Sequence, residues 1–281
     1  MAQTYRAIIL AAGRGPDDPM AKAYGVSHKC TLPVNGVPML KRVIDALRGS
    51  DAINGICVSI ESPAIVEAAL GKIQSSLSIV RSQNSAPQSV ITAIKEDPNY
   101  PFLVTTADHA LLTPEMLRYF CDAASANGAD FSAGLATAQV IQAAYPQSVR
   151  TFFRLGHDSV SGCNLFAVQN PKGLRILERW KYLETVRKKP WRLVAAFGPF
   201  ALFRFALGKL SLDDAFRIIS GRLDMRIKPV VMPFAEAAID VDKPSDLELA
   251  EGILRHRSGV TNSLQVAAPA AGRQENQPRT T

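Results

Sequence analysis

Two features of the chain could do chemistry with a charged ligand. The first is Ala7-Ile8-Ile9-Leu10-Ala11-Ala12-Gly13-Arg14-Gly15, an apolar run that passes directly into glycines. Glycine lets the backbone come close to a ligand and turn N–H groups toward phosphate oxygens. A plain strand-to-helix turn has the same composition, so the loop alone leaves both readings open. The second feature is Phe102-Leu103-Val104-Thr105-Thr106-Ala107-Asp108, a second apolar run ending in an acid. In an open α/β sheet the ligand crevice lies at the carboxyl ends of the strands, which places Asp108 beside Gly13, with a simple turn cap as the structural alternative. Other chemistries find little support. Gly13, Gly15 and Asp18 do not make GxGxxG, and no GK[ST] follows as a P-loop requires. The four histidines form no HExxH or triad pattern, and Cys30, Cys57, Cys121 and Cys163 lie far apart without metal-site spacing.

The elements needed to hold such residues follow from periodicity. Short apolar runs at Tyr5–Leu10, Gly55–Ile60, Leu77–Val80, Phe102–Thr106 and Asp130–Ala136 alternate with helical patterns at Pro38–Leu47, Pro63–Leu70, Ser89–Lys95 and Pro114–Asn127. That order predicts an α/β fold with a mostly parallel sheet flanked by helices. Strands are also expected at Phe152–Leu155, Gly162–Val168, Arg226–Met232 and Ala237–Val241, and a last helix from Pro244 to about His256. Between them, about 170–225 reads as a helical insert. The 281 residues are thus expected to form one unit over 1–257 and a disordered tail over 258–281, rich in Ala, Pro, Gln, Asn and Thr. A chain of this size buries about 70–75 % of its unfolded surface, so its core needs no disulfides.

The continuation of the glycine loop adds a family resemblance. LAAGRG followed by Lys29-Cys30-Thr31-Leu32-Pro33-Val34-Asn35-Gly36-Val37-Pro38-Met39-Leu40 resembles the N-terminal signature of nucleotidyltransferases with a MobA-like or sugar-phosphate-type NTP transferase domain. The resemblance implies a Rossmann-like sheet of the GT-A/nucleotidyltransferase kind and transfer of an NMP group from an NTP to a phosphorylated acceptor with release of pyrophosphate. It also implies that Leu10, Ala11, Ala12, Gly13, Arg14 and Gly15 wrap the NTP and that Lys29 neutralises charge near the α-phosphate. The family places an Arg-Met soon after the glycines; here Met20 keeps the Met position, the Arg is missing, and Lys22 is an alternative phosphate lysine. Asp17 and Asp18 are expected to face solvent, away from phosphate. Gln88-Ser89-Val90-Ile91-Thr92-Ala93-Ile94 resembles the segment after the family's base-binding loop, which puts Gln83 and Ser89 at the nucleobase; Ser89 reads equally as a helix N-cap.

Asp108-His109-Ala110-Leu111-Leu112-Thr113-Pro114-Glu115 resembles the segment whose Asp binds Mg²⁺, and Ala238-Ile239-Asp240-Val241-Asp242-Lys243-Pro244 resembles the closing motif. Asp108 and Asp240 are therefore the expected metal pair. Asp242 is read on the acceptor side together with Asn164, which a strand bulge would explain as well. Catalysis is assigned to Lys29, Arg14 and Asp108. Two rival functions stay open: a GT-A-like glycosyltransferase using a nucleotide-sugar, and a catalytically degenerate nucleotide-binding regulator.

The formal charge of +7 suits an acidic ligand without identifying one. Arg175, Arg179, Lys181, Arg187, Lys188, Lys189 and Arg192, interleaved with Trp180, Tyr182 and Trp191, offer either a peripheral membrane contact for a lipid phosphate or an ordinary helical cover. No nucleic-acid-binding pattern is present. Met1–Arg6 shows no signal-peptide pattern and no apolar stretch suffices to span a bilayer, so a cytoplasmic location is expected.

Overall fold

The computed structural model describes residues 3–13, 17–179 and 199–266. The main sheet is built from β1 (Tyr5–Leu10), β4 (Ile53–Ile60), β5 (Leu77–Arg81), β6 (Phe102–Thr106), β7 (Phe131–Thr137), β8 (Phe153–Leu155), β9 (Asp158–Val168) and β10 (Ile227–Val231). Its order is β10-β7-β9-β6-β1-β4-β5, with β8 paired to β9. The pairs β1–β4, β1–β6, β4–β5 and β7–β10 are parallel, whereas β9 runs antiparallel to β6, β7 and β8. This is the expected α/β architecture with a mostly parallel sheet.

Both faces of the sheet are covered, which is why its central strands are apolar throughout. Along β1, Tyr5, Ala7 and Ile9 enter one core with residues of α2 (Met39–Arg48), α3 (Pro63–Leu70) and α5 (Pro114–Ala126). The alternate residue Ile8 enters a second core with Val90 and Ile94 of α4 (Ala86–Glu96). Two antiparallel residue pairs form the hairpin β2 (Pro33–Val34) and β3 (Val37–Pro38), turned by Asn35 and Gly36 at φ 49° and 78°. Such Asn-Gly turns suit the twist of a tight hairpin.

A third apolar cluster lies at the carboxyl end of the sheet and joins distant parts of the chain. Met20, from α1 (Pro19–Ala23), packs with Leu32, Val34, Met39, Ala110, Leu111, Ile239, Val241, Leu247 and Ala250, the last two from the final helix, α9 (Pro244–Val266). This cluster brings the lysine-bearing segment, the turn after β6 and the closing motif together.

Several expectations change in detail. Ala237–Val241 is not a strand but a 3-10 turn, Ala235–Ala238, followed by irregular chain. Its alternation is nevertheless real: Ile239 and Val241 are buried, while the Val241 N–H is satisfied by the Asp108 carbonyl at 3.1 Å rather than by a sheet neighbour. α4 starts at Ala86 under the Ser85 cap, so Ser89 lies inside the helix. α6 (Ala138–Ala144), capped by Thr137, was not expected, and the last helix runs beyond His256. In the second half, α7 (Pro199–Ala206) and α8 (Leu212–Leu223) are helical as expected. Lys181, Arg187, Lys188, Lys189 and Arg192, with Trp180, Tyr182 and Trp191, lie outside the described residues. No helix among the described residues is long and apolar enough to cross a membrane.

Candidate functional site

The carboxyl ends of β1 and β6 are adjacent, tied by the Ala107 N–H donating to the Leu10 carbonyl at 3.0 Å. Beyond β1, Ala11 is buried and bonded through its N–H to the Ser59 carbonyl. The Gly13 N–H points to an anion, donating to Glu61 Oε1 at 2.7 Å. Arg14 and Gly15, expected at the phosphates, lie outside the described residues. Ala12, between buried Ala11 and half-buried Gly13, is exposed.

The segment after the loop settles geometrically where its two lysines go. Asp18, against expectation, is buried and caps α1, accepting from Met20 and Ala21 N–H groups at 3.0 and 3.1 Å. A proline-started helix with an Asp cap satisfies its first amides without a ligand. Asp17 is the exposed acid, and Lys22 pairs with it at 2.6 Å. Lys29 instead enters the crevice: its Nζ lies 2.7 Å from Asp108 Oδ2 and 2.6 Å from Asp242 Oδ1. Burial by itself lowers the pKa of this ammonium, but the two carboxylates outweigh burial and hold it above its ordinary value.

Asp108, Asp240 and Asp242 each offer one carboxylate oxygen, and the three oxygens lie within 4.8 Å of one another. Asp108 Oδ1 also accepts from the Thr106 hydroxyl at 2.6 Å. Asp240 is held from both sides. Its Oδ1 accepts from Arg150 at 2.6 Å, and its Oδ2 accepts from the Asn164 amide at 3.2 Å. Asn164 reaches it from a left-handed backbone position, φ 49°, in β9. Burial pushes the Asp240 carboxyl up to about 6, and the nearby charges of Asp108 and Asp242 add to this against the opposing Arg150. A close group of hard carboxylate oxygens is the donor chemistry that suits Mg²⁺. The geometry thus brings Asp242 into the same cluster as the expected pair Asp108 and Asp240.

Gln83 and Ser89 form a different arrangement. Ser89 is buried, accepts from the Gln83 N–H at 2.9 Å and donates to the Ser85 carbonyl at 3.1 Å. Its hydroxyl therefore shapes the loop from within, leaving the loop's exposed backbone and the Gln83 side chain as its outer surface.

Sequence reasoning missed Glu61 and Arg150. Glu61 follows β4 next to β1, so the rule that ligands gather at strand ends could have found it. Arg150 sits in the connection between α6 and β8 with no motif around it. Asp246, in the first turn of α9, ties these parts together: one oxygen accepts from the Asp242 and Lys243 N–H groups, both at 3.2 Å, and the other from Arg150 at 3.3 Å.

Comparison with known proteins bears on the fold and the family. A hypothetical transferase from Thermus thermophilus is 25 % identical and superposes with a TM-score of 0.72, covering 87 % of this chain and 100 % of that one. CMP:2-keto-3-deoxy-manno-octonic acid synthetase, solved with CTP, shares the fold at 13 % identity and a TM-score of 0.54, over 91 % of this chain and 99 % of that one. So does 4-diphosphocytidyl-2C-methyl-D-erythritol synthase from Anaerococcus prevotii, at 14 % identity and a TM-score of 0.54, over 91 % and 100 %. No curated protein matches the chain. The model of the MobA-like NTP transferase domain matches residues 7–155, more than half of the chain and including the glycine loop, Lys29 and Asp108. The chain belongs to the family of MobA-like NTP transferase domain proteins.

Proposed function

We propose that the protein is a Mg²⁺-dependent nucleotidyltransferase that moves an NMP group from an NTP to a phosphorylated acceptor. An acceptor phosphate oxygen attacks the α-phosphorus; the new P–O bond forms as the bond from that phosphorus to the α,β-bridging oxygen breaks, and pyrophosphate departs with the electron pair. The observation that carries this reading is Lys29 set among Asp108, Asp240 and Asp242 beyond the end of β6, next to the strand end from which the glycine loop leaves β1. Transfer at phosphorus asks the protein mainly for positioning and charge stabilisation, and this set of residues supplies both.

In this reading Leu10 to Gly15 line the triphosphate, with Arg14 and Lys29 opposing its charge. Glu61 yields the Gly13 amide to a phosphate oxygen. Gln83 and the loop ordered by Ser89 border the base. Asp108, Asp240 and Asp242 hold Mg²⁺, which when bound supplies positive charge to the phosphate oxygens. Asn164 keeps Asp240 in place and, with the second half of the chain, borders the acceptor. An acceptor phosphate is already ionised at neutral pH, so no side chain need remove a proton from it. The folded unit extends through the last helix to Val266, with the acceptor-side insert at about 170–225.

Proteins named as CMP:2-keto-3-deoxy-manno-octonic acid synthetase, solved with CTP, and 4-diphosphocytidyl-2C-methyl-D-erythritol synthase share the fold, which supports an NTP donor. The test is release of pyrophosphate with each NTP, Mg²⁺ and a panel of phosphorylated acceptors. Pyrophosphate release that requires both an NTP and an acceptor supports the proposal; consumption of a sugar nucleotide without pyrophosphate would overturn it in favour of glycosyl transfer.

A further inference from the structure

We infer that Arg150 is a positioning residue for the metal-binding carboxylates, an inference that rests on the metal reading given above. Its side chain is 8 % exposed and its donors are spent on this chain. One terminal nitrogen donates to Asp240 Oδ1 at 2.6 Å and to the Asp240 carbonyl at 3.3 Å. The other donates to the same carbonyl and to Asp246 Oδ1, both at 3.3 Å, and Nε reaches Ser148 Oγ at 3.4 Å. A guanidinium engaged in this way is a brace for other residues rather than a clamp for a substrate phosphate.

The brace acts on both acids of the closing motif. Asp240 is fixed directly, through its side chain and its backbone carbonyl. Asp242 is fixed indirectly, because Asp246, the second partner of Arg150, accepts the Asp242 and Lys243 N–H groups on its other oxygen. Asp240 and Asp242 therefore share one support although their side chains leave the chain two residues apart. The irregular backbone here pairs with no strand: the Val241 N–H bond to the Asp108 carbonyl fixes it at one point, and the ties made by Arg150 and Asp246 fix the residues on either side of that point. Arginine suits the task because its planar fork can hold a carboxylate and a carbonyl of one residue together with a second carboxylate, which a lysine ammonium does less completely. Groups in this position behind a metal ligand commonly change metal affinity by about 10–100-fold when removed.

The experiment uses the full chain and Mn²⁺ alone, titrated by electron paramagnetic resonance, with thermal unfolding measured in parallel. The unmodified protein should bind Mn²⁺. Arg150→Met should weaken that binding by about 10–100-fold, Arg150→Lys should recover part of the loss, and Asp246→Asn should weaken binding in the same direction. A folded Arg150→Met protein with Mn²⁺ affinity within about twofold of the unmodified chain would overturn the inference, since a mere surface staple would give that result. If Arg150→Met does not fold, Asp246→Asn decides, and unchanged Mn²⁺ affinity in it overturns the inference. Failure of the unmodified protein to bind Mn²⁺ would remove the metal reading itself and this inference with it.

Discussion

Replacing Lys29 by Met keeps most of the side-chain stem and removes the charge that lies between two acids. The ammonium is 2.7 Å from Asp108 and 2.6 Å from Asp242, and its side chain is 16 % exposed, against 20 % and 51 % for those partners. At about 3 Å and an effective dielectric near 20, each contact is worth roughly 5 kcal/mol of Coulomb attraction before solvation is counted. Desolvation of the ammonium and of Asp108 offsets most of one contact. Water screens the half-exposed Asp242 arm and leaves little of the other. A net loss of about 2 kcal/mol remains, which for a chain of this size lowers Tm by roughly 4–8 °C. The variant leaves Asp108 and Asp242 without their nearest cation, so Mg²⁺ should raise its Tm more than it raises that of the unmodified protein. Calorimetric unfolding with and without Mg²⁺ measures both effects. A variant that melts within a degree of the parent and gains no more from Mg²⁺ would refute the reasoning that Lys29 balances this cluster.

Asp108→Asn should abolish NTP turnover while leaving Tm within a few degrees, because the amide keeps the shape but is a poor ligand for Mg²⁺; steady-state pyrophosphate release checks this. Asp130→Asn should lower stability near neutral pH by about 1–2 kcal/mol. Burial alone would raise the Asp130 pKa, but the Arg226 N–H, the Asn170 amide and the Arg226 charge hold it below its ordinary value. Its contribution is therefore present above the unfolded carboxylate value and disappears as pH falls through the lowered folded one. Chemical unfolding across acid pH should show this loss in the parent and not in the variant. Gly173→Ala should destabilise by about 2–3 kcal/mol: a Cβ there would lie 2.5 Å from the Asp130 carbonyl oxygen and 2.9 Å from Val168 Cγ1, and the backbone atom cannot move aside cheaply. Denaturant midpoints measure it, and a midpoint equal to the parent's would contradict the crowding.

Legibility in the sequence followed the number of constraints on each residue. The run from Tyr5 to Leu10 and that from Phe102 to Thr106 are buried on both faces of a parallel sheet, so their apolar character alone marks them as strands. Asp108 was legible because it ends such a run. At Asp240-Val241-Asp242 the alternation correctly separates buried Val241 from the acids that flank it, yet it misidentifies the backbone. Its period records burial against the third apolar cluster and not pairing within a sheet. Ser89 misleads in a related way, since Ser85 four residues earlier offers the same cap chemistry and the chain uses it. Arg150 could not be read at all: its partners Asp240 and Asp246 are 90 and 96 residues away, and nothing local specifies a contact of that range.

Transfer at the Lys29 and Asp108 crevice should carry the α-phosphorus, and not the γ-phosphorus, of the NTP to the acceptor. Incubating the protein with Mg²⁺, a phosphorylated acceptor and an NTP labelled at the α-phosphate, beside the same NTP labelled at the γ-phosphate, tests it most directly. α-Label should appear in the acceptor product and γ-label in pyrophosphate, and neither with Asp108→Asn. Label moving from the γ-position to the acceptor, or α-label transfer undiminished in Asp108→Asn, would contradict it.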